Sequence, residues 1–175
     1  GLLRSIILKS AESKYINTQI IVTGSHLSKR HGMTINEIKK DKIKINSTVD
    51  LKLKNDQPLD IIDSMSRGMK LFGCELSRLK PDIIVILGDR SEIYAAASSA
   101  LILRIPIAHI HGGEITIGAY DDAFRHAITK LSNIHFVATA EYRKRVIQLG
   151  ENPKTVFNVG GLGASAIKKS SLLNR

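Results

Sequence analysis

The sequence predicts an α/β domain in which helices cover both faces of a parallel sheet. Short apolar runs typical of strands alternate with segments of helical periodicity along most of the chain. These runs are continuously apolar rather than alternating with polar residues, which is typical of parallel strands buried on both faces. Acidic, basic and glycine residues follow the ends of the runs, where ligands bind in open α/β sheets.

The first half of the chain supplies three predicted helices and three predicted strands. The longest helix, 59–79, has apolar residues at helical spacing and ends before Pro81; its apolar residues are Ile62, Met65, Met69, Phe72, Leu76 and Leu79. Helices are also predicted over 2–14 and 33–40, and strands over 19–23 and 82–87. A weak edge strand is predicted over 43–46.

The second half repeats this alternation. Strands are predicted over 106–110, 134–138 and 155–159, and helices over 92–103, 121–131 and 141–149. The 92–103 helix is rich in alanine, which allows it to pack closely on a sheet. Because the chain opens with a helix, we expect one domain over 1–163 whose first strand is absent. Residues 164–175, with a basic helical stub over 164–173, are expected to begin a linker to a missing second domain.

Composition narrows the classes of function. The 175 residues contain no apolar run of about 18 residues, so no membrane span is expected. The net charge is +10, and much of the excess lies between residues 29 and 54. Such a segment attracts nucleic acid, a membrane surface or a phosphorylated small ligand. It contains no aromatic residue, which argues against stacking on single strands and favours a solvated, lysine-rich face.

The only cysteine, Cys74, lies in an apolar stretch of the longest predicted helix. We expect it to be a buried thiol, because free cysteine behaves as a small hydrophobic residue. No internal disulfide can form, which fits a reducing cytoplasm.

Charged residues follow the strand predicted over 82–87. Asp89 either acts as an acid or base at the edge of the sheet or caps a turn with its side chain. Arg90 either binds a carboxylate or phosphate group or neutralises Asp89 or Glu92. Ser91 is a candidate cap for the next helix.

The strand predicted over 106–110 leads into a second polar group. We expect His109 to face the core and His111, which follows it by two residues, a ligand cleft. Gly112 and Gly113 allow positive φ and a close approach of the backbone to a ligand, or simply form a turn.

Two carboxylates, Glu114 and Asp121, flank the loop that follows. Carboxylates on two sides of a cleft can divide acid and base work, as in reactions at an anomeric carbon. With His111 they form a conceivable zinc set, but the spacing matches no strong metal signature, so no metal is expected.

Arg125 and His126 lie one helical turn after Asp121 and Asp122. Asp122 and His126 are four residues apart, so a contact on the helix surface is the alternative to a role in a ligand site.

Five separated motifs occur in order across nearly the whole chain. They are GSHL (Gly24 to Leu27), LKPDIIVILGDRSE (Leu79 to Glu92), IAHIHGGE (Ile107 to Glu114), DDAFRHAITKLS (Asp121 to Ser132) and VFNVGGLG (Val156 to Gly163). This set closely resembles the hydrolysing UDP-N-acetylglucosamine 2-epimerases, which open bacterial sialic acid synthesis. The resemblance implies the N-terminal, Rossmann-like domain of a GT-B type two-domain fold, with the active site between the domains.

The resemblance also implies an activity. Such enzymes convert UDP-N-acetylglucosamine into N-acetylmannosamine and UDP by anti elimination of UDP, followed by addition of water to a 2-acetamidoglucal. A base must remove the weakly acidic C2 proton while the anomeric bond breaks with oxocarbenium character, which carboxylates stabilise. A UDP-sugar is the expected partner and a homo-oligomer is implied, whereas no cofactor, nucleic acid or membrane is expected. The second domain supplies most nucleotide contacts in relatives, so this piece alone is expected to be inactive.

Residue roles follow by matching the motifs. Asp89 matches a catalytic aspartate and Asp121 a carboxylate of the same site. Relatives often carry glutamate where this chain has His111, so Glu114 is a candidate to share the proton transfer. The expected substrate-binding residues are His26, Arg90, Gly112, Gly113, Arg125 and His126.

Two alternatives stay open from the sequence. An enzyme of the same fold acting on UDP-N,N'-diacetylbacillosamine carries the same motifs. A basic nucleic-acid-binding module predicts steeply salt-dependent binding to DNA or RNA. A non-hydrolysing epimerase is disfavoured by the HIHGGE and RHAITKLS strings.

Overall fold

In the computed structural model, which describes residues 1–163, helices and strands alternate as predicted. The helices are α1 (Arg4–Ala11), α2 (Ile35–Lys40), α3 (Pro58–Leu79), α4 (Ser91–Ile102), α5 (Asp121–Leu131) and α6 (Ala140–Gln148). The strands are β1 (Ile21–Thr23), β2 (Ser47–Val49), β3 (Ile84–Leu87), β4 (Ile107–Ile110), β5 (Ile134–Val137) and β6 (Val156–Asn158). The predicted stub over 164–173 lies outside the described residues. None of the helices within 1–163 is long and apolar enough to cross a membrane.

All strand pairs in the described part of the chain are parallel. Four strands form one sheet in the order β3–β4–β5–β6, and β1 and β2 form a separate pair. The register aligns Ile84 with Ile107 and Ile110 with Phe136. Because the strands run in one direction, the loops that follow β3 and β4 leave the sheet at the same edge, which is where the site lies.

Small residues allow α3 and α4 to pack closely together. A Cβ atom at Gly68 would lie 3.1 Å from Leu51 and 3.2 Å from the Cβ of Ala95. Ala97 and Ala100 are fully buried. The core around them contains Val49, Leu51, Phe72, Leu76, Ile86, Ile107 and Ile128. The alanine-rich helix α4 is therefore closely packed against the neighbouring helix α3.

The buried face of α3 differs from the predicted one. Phe72 is buried as expected, but Ile62 and Met69 are 59% and 38% exposed. The buried face is formed instead by small residues, Ser64 and Gly68, together with Phe72 and Leu76. The spacing of apolar residues did not predict this face, because two helices that pack closely together need small side chains, not large ones, at their contact.

The predicted burial of Cys74 is wrong, since its thiol is exposed. Cys74 lies two residues after Phe72, about 200° around the helix, and so faces away from the buried side.

The edge strand predicted over 43–46 is also wrong, because the strand is Ser47–Val49. Lys42 has a φ of +56°, which turns the chain after α2. The Ile20 N–H donates to Asn46 Oδ1 at 2.9 Å, and the Asn46 N–H donates to the Ile20 carbonyl at 2.9 Å. Asn46 therefore closes the end of the ladder, and regular pairing begins one residue later.

Candidate active site

The loops after β3 and β4 begin with unusual backbone conformations. Gly88, which follows β3, has a φ of +83° and leads to Asp89. His111, which follows β4, has a φ of +67° although it is not glycine. A left-handed conformation costs a residue with a side chain about 1–2 kcal/mol. Such strain is common at functional sites, where surrounding contacts hold it in place.

Arg125, on α5, binds both loops. Its side chain is 8% exposed and donates through Nη2 to Asp89 Oδ2 and through Nη1 to the His111 carbonyl, the latter at 2.9 Å. Nη2 also donates to Thr116 Oγ1 at 3.1 Å, and Glu114 Oε2 lies 3.6 Å from Nη1. A buried charge is tolerated only with such partners. Arg125 therefore holds Asp89 and Glu114 in one cluster.

His111 and Glu114 form a second pair within the cluster. His111 Nδ1 lies 2.9 Å from Glu114 Oε1, and the two side chains are 18% and 25% exposed. His111 Nε2 is buried and has no hydrogen-bond partner among residues 1–163. An imidazole oriented by a carboxylate is suited to proton transfer.

Asp121, the first residue of α5, lies in the electrostatic field of the same cluster. Burial raises the pKa of its carboxyl group, and the charges of Asp89 and Glu92 raise this pKa further. Arg90 and Arg125 act in the opposite direction. A raised pKa allows an aspartic acid to keep its proton closer to neutral pH, as a general acid must.

His109 faces the core, as predicted. It is fully buried, its Nε2 donates to the Gly88 carbonyl at 2.8 Å, and its Nδ1 lies 3.3 Å from Thr129 Oγ1. Burial lowers the pKa of His109 to about 4. A neutral His109 therefore ties β4 to the turn that presents Asp89.

Gly112 and Gly113 are explained by packing. A Cβ atom at Gly113, where φ is +78°, would lie 2.5 Å from the Tyr142 carbonyl oxygen of α6. A Cβ atom at Gly112 would lie 3.1 Å from Thr129 Oγ1 of α5. Arg145 of α6 donates to the Gly113 carbonyl. These contacts lock the HIHGGE loop against two helices.

Two predicted substrate-binding residues lie outside the cluster. His26 is exposed, and its Nδ1 lies 2.7 Å from Thr34 Oγ1. Arg90 is 61% exposed, and its Nε lies 2.8 Å from Glu92 Oε1. The structure shows the pairing of Arg90 with Glu92, and the binding of a carboxylate or phosphate group by Arg90 stays a prediction. Ser91 does not cap α4 with its side chain, since Arg90 occupies the N-cap position.

The predicted contact between Asp122 and His126 is present, with 3.5 Å between Asp122 Oδ2 and His126 Nε2. Asp122 Oδ1 also accepts a hydrogen bond from the Thr116 N–H at 2.9 Å. Asp122 therefore anchors the loop between Glu114 and Asp121. Nothing in the sequence singled out Thr116, because its contacts depend on how this loop folds back on α5.

A basic pocket of about 310 Å³ lies at the carboxyl ends of β1 and β2. Lys29, Arg30 and Lys52 line it together with Asp50 and the Gly24 turn. None of Asp89, His111 and Arg125 lines this pocket. The basic segment seen in the sequence thus borders this pocket.

The profile of the family described as UDP-N-acetylglucosamine 2-epimerase matches residues 9–174 of the sequence. The chain belongs to the UDP-N-acetylglucosamine 2-epimerase family. The family predicted from the five motifs is therefore confirmed.

Two curated relatives are similar to this chain over almost its whole length. The GDP/UDP-N,N'-diacetylbacillosamine 2-epimerase (hydrolyzing) of Campylobacter jejuni is 44% identical over 99% of this chain and 45% of its own length. The polysialic acid biosynthesis protein P7 of Escherichia coli is 41% identical over 100% of this chain and 45% of its own length. The chain thus spans about half the length of these relatives.

A solved structure of the family confirms the predicted fold. The Neisseria meningitidis UDP-GlcNAc 2-epimerase bound to UDP-GlcNAc superposes with a TM-score of 0.80 at 22% identity, over 95% of this chain and 44% of that one. The chain therefore has the Rossmann-like α/β fold of one half of this GT-B type structure.

Proposed function

We propose that the protein carrying this chain is a hydrolysing UDP-sugar 2-epimerase, which eliminates UDP and adds water to give a free 2-epimeric sugar. The observation that carries the proposal is the cluster around buried Arg125. It brings Asp89, Asp121 and the His111–Glu114 pair to one edge of the sheet. Carboxylates and titratable groups together are what this chemistry requires.

In the proposed elimination, a base takes the proton from C2 as the bond between C1 and the UDP oxygen breaks and a C1–C2 double bond forms. Water then adds, so that C1 gains the hydroxyl group and C2 regains a proton on its other face. Asp89, fixed by Arg125, stabilises positive charge at C1. Asp121 and the His111–Glu114 pair are the candidates for the two proton transfers.

The substrate is proposed from two sources. The sequence motifs alone favour UDP-N-acetylglucosamine, which gives N-acetylmannosamine and UDP. The identity of 44% to a diacetylbacillosamine enzyme, against 27% to a UDP-N-acetylglucosamine 2-epimerase of Neisseria meningitidis, favours UDP-N,N'-diacetylbacillosamine. We rank the diacetylated sugar first.

Product analysis with both nucleotides tests this proposal. The full-length protein is incubated with each UDP-sugar, and the released sugar and UDP are identified by chromatography and mass spectrometry. We expect UDP and a free 2-epimeric sugar, formed faster from the diacetylated substrate. Release of neither UDP nor a free sugar from both substrates would reject the proposed activity.

Several further properties of the whole protein are proposed on the same basis. Residues 1–163 form the first domain, and 164–175 begin the linker to a second domain that completes the cleft. We propose a cytoplasmic homo-oligomer that binds a UDP-sugar but neither nucleic acid nor membrane. Light scattering on the full-length protein tests the oligomeric state. Binding of DNA or RNA at low salt would contradict the proposed lack of nucleic-acid binding.

A further inference from the structure

Glu92 is a buried carboxylate that sequence reasoning treated only as a neighbour of Arg90. It lies in the first turn of α4, and its side chain is 7% exposed, whereas that of Arg90 is 61% exposed. Burying a carboxylate is costly unless it is paired or hydrogen-bonded. Such a residue at the edge of the site therefore requires an explanation from its contacts.

The first contact of Glu92 is with Arg90. Arg90 Nε lies 2.8 Å from Glu92 Oε1, and Ser91 Oγ donates to Glu92 Oε2 at 3.4 Å. No other carboxylate among residues 1–163 pairs with Arg90. Buried Glu92 thus holds the Nε atom of a guanidinium group that is otherwise exposed. The Nη atoms of Arg90 make no hydrogen bond to residues 1–163.

The second contact is with the turn that follows β1. A Cβ atom at Gly24, where φ is +63°, would lie 2.7 Å from Glu92 Oε1. Only glycine allows this approach. Because β1 and β3 belong to different sheets, the same carboxylate oxygen joins the loops that leave those two sheets.

Electrostatics link Glu92 to the cluster. Its charge is among the causes that raise the pKa of Asp121, and the charge of Arg90 opposes it. The Arg90–Glu92 pair therefore lies within electrostatic reach of a proposed proton-transfer group.

We propose that Glu92 is a positioning residue that holds Arg90, against the Gly24 turn, in the orientation that binds the anionic diphosphate of the nucleotide sugar. The inference rests on the proposed function. It also assigns Gly24 a role, since its lack of a side chain leaves room for the Glu92 carboxylate.

A double-mutant cycle in the full-length protein tests this. Glu92→Gln keeps the size of the side chain and removes its charge, and Arg90→Gln removes the guanidinium. We expect each to raise KM for the UDP-sugar about tenfold with a smaller change in kcat. The double variant should be no worse than either single one, because both act through one interaction. Glu75→Gln is the control, since it makes the same substitution in an Arg–Glu pair, with Arg78, at the end of α3 that precedes β3.

Carbon-13 NMR titration of Asp121 in the same variants supplies a readout independent of turnover. Removing the negative charge of Glu92 should lower the Asp121 pKa, because that charge helps to raise it, and Glu92→Asp should restore it. Because the charge of Glu92 acts on Asp121 directly, this pKa reports only that the charge has been removed, and KM reports the orientation of Arg90. A purely structural role would lower stability without moving KM. Unchanged KM in Glu92→Gln, or additive effects in the cycle, would overturn the proposal. If the wild type releases no UDP, the proposed function fails. The affinity of wild type and variants for UDP is then measured by calorimetry in place of KM. An affinity that Glu92→Gln leaves unchanged, or effects that add in the double variant, would overturn the role of Glu92.

Discussion

At the scale of single residues, the pair of Asp89 and Arg125 carries most of the proposed chemistry. Asp89 is 19% exposed and Arg125 8%, so their ion pair is largely shielded from water. We expect Asp89→Asn to lower kcat of the full-length protein at least about 10³-fold, because an amide cannot stabilise developing positive charge as a carboxylate does. Steady-state release of UDP measures the effect.

Asp82→Asn is the control for this variant. Asp82 is exposed and lies just before β3, at the end opposite Asp89. It should leave turnover within about twofold of wild type. Normal turnover by Asp89→Asn would refute the role of Asp89.

Burial of His109 makes stability depend on pH. The pKa of His109 is lowered to about 4, below the value of 6.5 for an exposed histidine, so the unfolded chain binds a proton that the folded chain does not between these pH values. The contribution is fully present above pH 6.5 and is lost as pH falls towards 4. Burial also lowers the pKa of His135, which acts in the same direction.

We therefore expect the full-length protein to lose on the order of 2 kcal/mol of stability between pH 7 and pH 5 through His109. Thermal unfolding at both pH values measures this loss. His109→Gln should reduce the pH dependence, whereas His31→Gln, at an exposed position, should leave it unchanged. Equal pH dependence in His109→Gln and wild type would contradict the account.

Much of the candidate site could be predicted because it follows from position along strands. Asp89 and His111 come directly after adjacent parallel strands, and Arg125 lies in the helix after the second strand. Their proximity is therefore a consequence of the topology. Glu92 and Thr116 could not be predicted in the same way. Their contacts, with a turn from another sheet and with a folded loop, have no signature in local spacing.

At the scale of elements, the HIHGGE loop depends on its fit against α6. Gly113→Ala places a Cβ atom 2.5 Å from a backbone oxygen at a φ of +78°, which the loop can relieve only by moving. We expect a loss of about 2 kcal/mol or more and lower activity. Thermal unfolding and UDP release report both effects.

Gly73→Ala supplies the matched comparison. Gly73 lies within α3, and a Cβ atom there would have no neighbour within 4 Å. Alanine should stabilise this helix by about 0.5–1 kcal/mol without changing activity. If Gly113→Ala and Gly73→Ala had the same effects on stability and activity, the close packing of Gly113 would not constrain the loop.

Helices and strands differed from the predicted ones where contacts between distant parts of the chain outweighed the local pattern of apolar residues. The helix over α5 begins and ends at the predicted residues because its amphipathic pattern and flanking polar residues agree. In α3 the pattern predicted a large apolar face, whereas contact with α4 required Ser64 and Gly68. In β2 the pairing of Asn46 with Ile20 set the start of the strand, and that pairing spans 26 residues.

At the scale of the whole molecule, the chain covers 45% of the length of its relatives, so the rest of a relative's length has no counterpart in it. We predict that the 175 residues alone do not release UDP from either UDP-sugar, because half of the proposed cleft is missing. An assay of the isolated chain beside the full-length protein measures this. Turnover by the isolated chain would show that the second domain is dispensable.

The central claim is that the full-length protein eliminates UDP and then adds water. Proton NMR of the reaction in deuterated water, run with the UDP-sugar that it turns over, tests this most directly. We predict that the free 2-epimeric sugar carries deuterium at C2 and accumulates together with UDP. A free sugar that retains the original C2 proton, or a product still attached to UDP, would contradict elimination followed by addition of water.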